Sequence, residues 1–320
     1  MDKELKDEET RNWVKTCLAL RYVTEGIVSY VKKACEEKYL IDIDHLKDVC
    51  GISDYTCNMC NVKELKPYHA RLFPCKYQQY IRRCGCQGQN KKTCLQNDIC
   101  GVFYDLIIDN HVKSNPKWSN TKCELWSDQR TGPWEVMKCY ICTPGYEKKP
   151  DIFQADVTAL VQICMNDRDL QTRLGYRLVL LEKIREIRNE VCHSATMQMS
   201  TDCFKQHVRH MKDVLRLDIF KGNKAAKDGR KKLKSLKKEA KQVTVEDEMN
   251  AREDTIAAIK ELKKLIEQSE DSHEIARQKI AHLTSVEDKH KRELEKQFDE
   301  ITSHLQDLKK RNCANDTEVR

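Results

Sequence analysis

Nine of the chain's seventeen cysteines, Cys50, Cys57, Cys60, Cys75, Cys84, Cys86, Cys94, Cys100 and Cys123, lie within about 75 residues of one another. Sulfur at that density has three uses: disulfides, small buried hydrophobes, or metal ligands. The N-terminal stretch Met1-Asp2-Lys3-Glu4-Leu5-Lys6-Asp7-Glu8-Glu9 is acidic and polar. It lacks the basic start and apolar middle of a secretory signal, so a cytoplasmic or nuclear location is expected. A reducing compartment disfavours disulfides. Cys17 and Cys164 sit inside helical apolar patterns, where burial accounts for them. For the cluster the expectation is a metal ion.

Zinc takes four soft or borderline ligands in a tetrahedron, and closely spaced pairs usually supply them. Cys57-x-x-Cys60 has the spacing of a zinc knuckle; Cys84-x-Cys86, Cys94 and Cys100 follow, with His69 and His111 nearby. Cys139-x-x-Cys142 is a further pair in a different stretch. The spacings match no ring, ribbon or two-Cys-two-His finger. No His-Glu-x-x-His is present, and no His-x-Glu followed by Pro-Cys-x-x-Cys, so a structural zinc is expected rather than a catalytic one. Pro67, Pro74, Gly85 and Gly88 interrupt this region, which is why it would need a metal staple.

Around the cluster the chain reads as helix. Residues 10–40 carry Trp13, Cys17, Leu20, Tyr22, Val23, Ile27, Tyr30 and Val31 on one stripe. A second amphipathic helix is expected over about Cys100 to Val112, with Val102, Phe103, Leu106 and Ile107 inward. An irregular segment with Trp118, Trp126 and Trp134 follows. From Asp156 the helical period returns. Val157, Leu160, Val161 and Cys164 mark one helix; Leu174, Leu178, Leu181, Ile184 and Ile187 mark another. A third follows a cap at Ser200 or Thr201, burying Phe204, Val208, Met211 and Leu215. The fold class is therefore mostly α, in four parts: a helical Cys-rich module over 1–150, a helical domain over 151–220, a basic hinge over 221–243 and a coiled coil over 244–312. No run of 18 apolar residues exists, so no membrane span is expected.

From Leu262 to Leu294 the tail keeps a frame spaced by four and three, with polar residues at several of its core positions, then slips to Phe298, Ile301, Leu305 and Leu308. That frame predicts one long helix, as a homodimeric coiled coil or a partner-binding one, with a lone charged helix as the alternative. The net charge is +7, and Lys221 to Lys241 holds ten Lys/Arg against two acids. Such a run either meets phosphate groups or forms a solvated helix face.

One segment suits chemistry: Arg188-Asn189-Glu190-Val191-Cys192-His193. Arg188 offers a forked, permanently charged donor to phosphate, His193 titrates near neutrality, and Asn189 can orient either neighbour. Residues five apart on a helix point about 140° from each other, so Arg188 and His193 converge only if the helix stops near Val191. The competing reading is a helix-terminal ion pair for Arg188 and a dipole partner in His193.

This segment, with the Leu-rich helix before it and the helix of Phe204 after it, resembles the HEPN domain (higher eukaryotes and prokaryotes nucleotide-binding). The subtype it resembles is that of the DAZ-interacting zinc-finger ubiquitin ligase. The resemblance implies a helical domain that binds RNA. In active members two copies face one phosphate and cut without metal, with His moving the proton and Arg stabilising charge. Arg188, Asn189 and His193 are then the candidate catalytic residues. Many members are inactive and serve RNA binding or dimerisation. The alternative function is a non-catalytic coiled-coil scaffold or adaptor in innate-immune or ubiquitin-linked signalling. A wider likeness over about 10–217 is to the vertebrate family named after X-chromosome open reading frame thirty-eight. It rests on Asn12-Trp13-Val14-Lys15, Asn110-His111-Val112, Trp118, Cys123, Trp134-Glu135-Val136 and the Arg188 segment. That likeness implies that Cys100, His111 and Cys123 lie close together, as ligands beside Cys84, Cys86 or Cys94. It offers no counterpart for Cys57/Cys60 or Cys139/Cys142.

Overall fold

The computed structural model describes residues 7–71, 75, 86, 88, 90–194, 196–237, 243–267 and 273–315. The chain is mostly helical, and among the described residues there is no strand, only isolated bridges at Leu65–Lys92 and His111–Asp167. No described helix is long and apolar enough to cross a membrane.

The first helix, α1, spans Glu8–Cys50, ten residues past the end read from the sequence. Its buried positions Leu20, Val23, Ile27, Val31, Ala34, Ile43 and Leu46 recur at helical spacing. The polar stretch beyond residue 40 stays helical because Lys38 pairs with Asp42 one turn on, both buried. Glycine ends the helix: Gly51 has φ +61°, and Ile52 N–H reaches Lys47 O at 3.1 Å while Gly51 N–H reaches Asp48 O at 3.4 Å. That is a Schellman stop, in which the left-handed residue carries no Cβ penalty.

The remaining helices are α2 (Ile99–Asn110), α3 (Gly132–Met137), α4 (Val157–Asn166), α5 (Arg168–Leu174), α6 (Leu178–Cys192), α7 (Thr201–Val214), α8 (Lys224–Lys237), α9 (Val245–Glu267) and α10 (His273–Asn315). Asp156 caps α4 through Ala159 N–H at 2.9 Å, and Asp167 caps α5 through Leu170 N–H at 2.9 Å. Ser200 caps α7, accepting Cys203 N–H at 3.3 Å.

The chain divides into two compact units, each assembled from distant segments. One comprises Met1–Leu18, Asn189–Lys205 and Lys238–Arg320; the other comprises Ala19–Arg188 and Gln206–Lys237.

In the first unit Trp13 is fully buried and its indole N–H donates to Val191 O at 3.0 Å. Asn12 donates to Thr201 Oγ1 at 3.0 Å. The ring of His290 lies 5.6 Å from that of Trp13. Ile259 of α9 packs with Leu283 and Val286 of α10, and Lys263 pairs with Glu287 at 2.6 Å. On one continuous helix Ile259 and Leu283 would be about 36 Å apart. The expectation of a single long helix over 244–312 is therefore corrected: α9 and α10 are two helices packed on each other. Glu287 and His290 are buried along this seam, whereas Phe298, Ile301 and Leu305 are exposed.

In the second unit the expected basic hinge is largely the helix α8. Its Ala226, Leu233 and Leu236 are buried while Lys227, Lys231, Lys232 and Lys234 are exposed, the pattern of an amphipathic surface helix. Gly229 allows its close approach to α1, because a Cβ there would stand 2.9 Å from Tyr22 O. Lys232 pairs with Glu25 at 2.7 Å.

Candidate metal centre

Two loops of the second unit carry the sulfurs. The first leaves α1 at Gly51 and bears Cys57 and Cys60; the second runs into α2 and bears Cys94, with Cys100 in the first turn of that helix. Backbone pairing joins the loops. Lys66 N–H donates to Lys92 O at 2.8 Å, and Lys92 N–H to Glu64 O at 2.7 Å. The Gln96 side chain adds a second clasp, accepting Thr56 N–H at 3.1 Å and donating to Asp54 O at 2.6 Å. Asn97 and Asp98 both take positive φ, at 45° and 57°, which turns the chain sharply between Cys94 and Cys100. Asn and Asp tolerate that region better than other residues with a Cβ. Gly101 keeps this turn close-packed, since a Cβ would lie 2.5 Å from Asp98 Oδ1 and 2.9 Å from Lys66 O.

The result is a group of four sulfurs, Cys57, Cys60, Cys94 and Cys100, all within 4.8 Å of one another. Cys57 Sγ is 3.6 Å from Cys60 Sγ and 3.6 Å from Cys94 Sγ. A disulfide would bring sulfurs to about 2 Å. Four thiolates on one zinc at about 2.3 Å stand about 3.8 Å apart at the edges of the tetrahedron. The donor set and its spacing therefore suit one metal ion. With four sulfurs and no fifth position required, the group has the form of a closed structural site.

The Tyr55 hydroxyl is 3.2 Å from Cys100 Sγ, and Ser127 Oγ donates to the Cys57 carbonyl at 2.9 Å. Hydrogen bonds from Cys100 and Cys60 push the Cys94 thiol down. Hydrogen bonding to Cys100 and Cys94, together with burial, pushes Cys60 up. Hydrogen bonding among the four thiols thus favours the anionic form at Cys94 and disfavours it at Cys60.

Of the ligands expected from the sequence, Cys94 and Cys100 belong to this group. Cys123 is fully buried against Cys100, with their thiols hydrogen-bonded, but is not among the four. His111 is separate. It caps the far end of α2, eleven residues or about 16 Å from Cys100. There it stacks on Tyr140 at 5.6 Å and accepts Lys113 N–H at 3.1 Å. Burial, with Lys113 and Arg168 nearby, pushes its pKa down to about 4. Cys86 joins a different group, with His69 and Cys75. Cys84 lies outside the described residues. Cys139 and Cys142 enter no group of three or more metal-binding side chains among the described residues; Asn166 Nδ2 donates to Cys142 Sγ at 3.2 Å. Cys57 and Cys60, without a counterpart in the family likeness, supply half of the four-sulfur group. Their Cys-x-x-Cys spacing was the signal.

The Arg188 segment has a different character. α6 continues to Cys192, one residue past the stop near Val191, and His193 N–H still bonds Asn189 O at 2.9 Å. Asn189 and Glu190 are exposed and His193 is half-buried. In the second unit the Arg188 side chain is 13% exposed and pairs with Asp156 Oδ2 at 3.4 Å.

A mostly helical protein with a four-cysteine group that could hold a metal ion is the class these features define. The chain belongs to the family described as "Domain of unknown function (DUF4559)", which it matches over residues 46–320. Searches of curated proteins and of solved structures return no match.

Proposed function

We propose that this chain is a non-catalytic helical scaffold, with a structural zinc ion on Cys57, Cys60, Cys94 and Cys100 and a HEPN-like helical region over 151–220. The observation that carries the reading is the Arg188–Asp156 ion pair. A phosphate-binding arginine must present its fork to the ligand. This guanidinium is nearly covered and already has a carboxylate partner. The R-N-E-V-C-H segment then serves packing, and Val191 O accepts the Trp13 indole as part of it. Self-association falls to α10, where Phe298, Ile301 and Leu305 are exposed at coiled-coil spacing. A second copy offers the same stripe, so the contact is self-complementary about a two-fold axis.

The test has two arms. Full-length protein is incubated with single-stranded RNA in chelator; no cleavage above background is expected, and His193→Ala changes nothing. Cleavage that His193→Ala abolishes would overturn the scaffold reading in favour of a metal-independent ribonuclease using Arg188, Asn189 and His193. Sedimentation at micromolar concentration is expected to show a dimer that Ile301→Glu with Leu305→Glu converts to monomer. A monomeric wild type counts against self-association.

A second reading, RNA binding without cleavage, is supported by the exposed lysines of α8. It predicts RNA affinity that falls steeply with salt and drops when Lys227 and Lys234 are changed to Gln.

A further inference from the structure

We propose that His69, Cys75 and Cys86 form a second zinc site, separate from the four-sulfur group. Their ligand atoms all lie within 4.8 Å of one another. His69 is fully buried, Cys86 is 2% exposed and Cys75 is half-buried. Zinc–sulfur and zinc–nitrogen bonds of about 2.3 and 2.0 Å place such donors about 3.5 to 3.8 Å apart, so the cluster needs only a small contraction to close on an ion. The three side chains supply three of the four positions that zinc takes.

The histidine is already oriented for the task. Asp105, buried on α2, accepts the His69 backbone N–H at 2.7 Å through Oδ2 and meets the ring Nδ1 through Oδ1. A carboxylate on Nδ1 fixes the ring and the tautomer, leaving Nε2 as the ligand atom and making it more basic. A carboxylate is a usual outer partner of a zinc-bound histidine. The turn bearing His69, Tyr68–Arg71, is held in place as well. Arg71 pairs with Asp98 Oδ2 at 2.7 Å, while Asp98 Oδ1 receives Cys94 N–H at 3.4 Å. Asp98 and α2 therefore brace both sites: Cys100 ligates from the first turn of α2, and Asp105 orients His69 five residues on.

The measurement is zinc per chain, by elemental analysis of the full-length protein purified under reducing conditions without chelator. Two zinc ions per chain are expected. Cys86→Ser and His69→Ala should each retain one, whereas His69→Cys, which restores a ligand, should retain two. Cys100→Ser should lose a different ion. In cobalt-substituted protein, Cys86→Ser is expected to remove the absorption of a mixed nitrogen–sulfur site and leave that of the four-sulfur site. Asp105→Asn should keep both ions but release one to a competing chelator about 10- to 100-fold more readily. One zinc per chain in the wild type, removed by Cys100→Ser and kept by Cys86→Ser, would overturn the second site and leave the four-sulfur site standing. A Cys75–Cys86 disulfide found by thiol titration would overturn it too. If Cys86→Ser fails to fold, His69→Cys against His69→Ala decides the matter.

Discussion

Asp156 holds Arg188 with one carboxylate oxygen while the other caps α4. Oδ2 takes the guanidinium at 3.4 Å; Oδ1 accepts Ala159 N–H at 2.9 Å and the Tyr146 hydroxyl at 2.8 Å. A single side chain thus starts one helix and anchors another. Asp156→Ala should cost about 2–3 kcal/mol, since it removes a cap and two further partners. Arg188→Met should cost about 1 kcal/mol or less, because solvent reaches Asp156. Urea unfolding of the two variants checks the ordering, and equal effects would show that the ion pair, not the cap, carries the contribution of Asp156.

The pair Glu135–Lys138 is more demanding. Their side chains are 4% and 1% exposed and 2.6 Å apart, and Glu135 Oε2 also accepts Lys122 N–H at 3.0 Å. Glu135→Gln strands a buried ammonium and should cost about 3–5 kcal/mol. Adding Lys138→Met should recover part of that loss. A single-variant cost below about 1 kcal/mol in denaturation would mean that water reaches the pair.

His290 predicts an acid sensitivity. Both ring nitrogens are buried without a hydrogen-bond partner, and burial, with Arg252 adding repulsion, pushes its pKa down to about 4. The unfolded chain takes up this proton near pH 6.5 and the folded one only near 4. Stability is therefore full above about 6.5 and falls as the pH drops toward 4. His111, also held at about 4, acts in the same direction. Each contributes at most about 3 kcal/mol of loss at pH 4. Urea midpoints at pH 7, 5.5 and 4.5 should fall in the wild type and fall less in His290→Phe. Parallel curves would refute the assignment.

The packed pair α9–α10 makes two leucines of one helix behave differently. Leu283 is 3% exposed and faces Ile259; Leu305 is 56% exposed. Leu283→Ala should cost about 2–5 kcal/mol, and Leu305→Ala should stay within about 0.5 kcal/mol of wild type at concentrations where the protein is monomeric. Equal costs would favour one continuous coiled coil.

Gly101→Ala should weaken metal binding without touching a ligand. The added Cβ would press on Asp98 Oδ1 and Lys66 O, the groups that shape the turn between Cys94 and Cys100. A cost of about 1–3 kcal/mol is expected, read as zinc released to a chelator at lower concentration. Unchanged retention would show that the turn adapts.

The helices were legible where one face is apolar over several turns. α4, α6 and α7 appear close to their read positions because Leu160, Leu181, Ile184, Val208 and Met211 recur at helical spacing, and all of them are buried. That α9 and α10 pack on each other was not legible, since a heptad frame carried through both looks like one helix until a packing partner is known. α8 was read as a hinge because its lysines outnumber Ala226, Leu233 and Leu236, yet three buried positions suffice to seat a helix. At the candidate site, Cys94 and Cys100 were named and Cys57 and Cys60 were set aside. A span of 34 residues separates Cys60 from Cys94, and no local pattern reports that Lys66 and Lys92 pair between them.

The sequence by itself determined the helical class, the sulfur supply and the amphipathic faces, because each follows from spacing within a few turns of chain. Only the tertiary structure decided which cysteines meet, that His69 rests on Asp105, and that Arg188 is taken by Asp156. Those contacts depend on closing loops of tens of residues, and backbone pairing and packing hold them closed rather than any local preference.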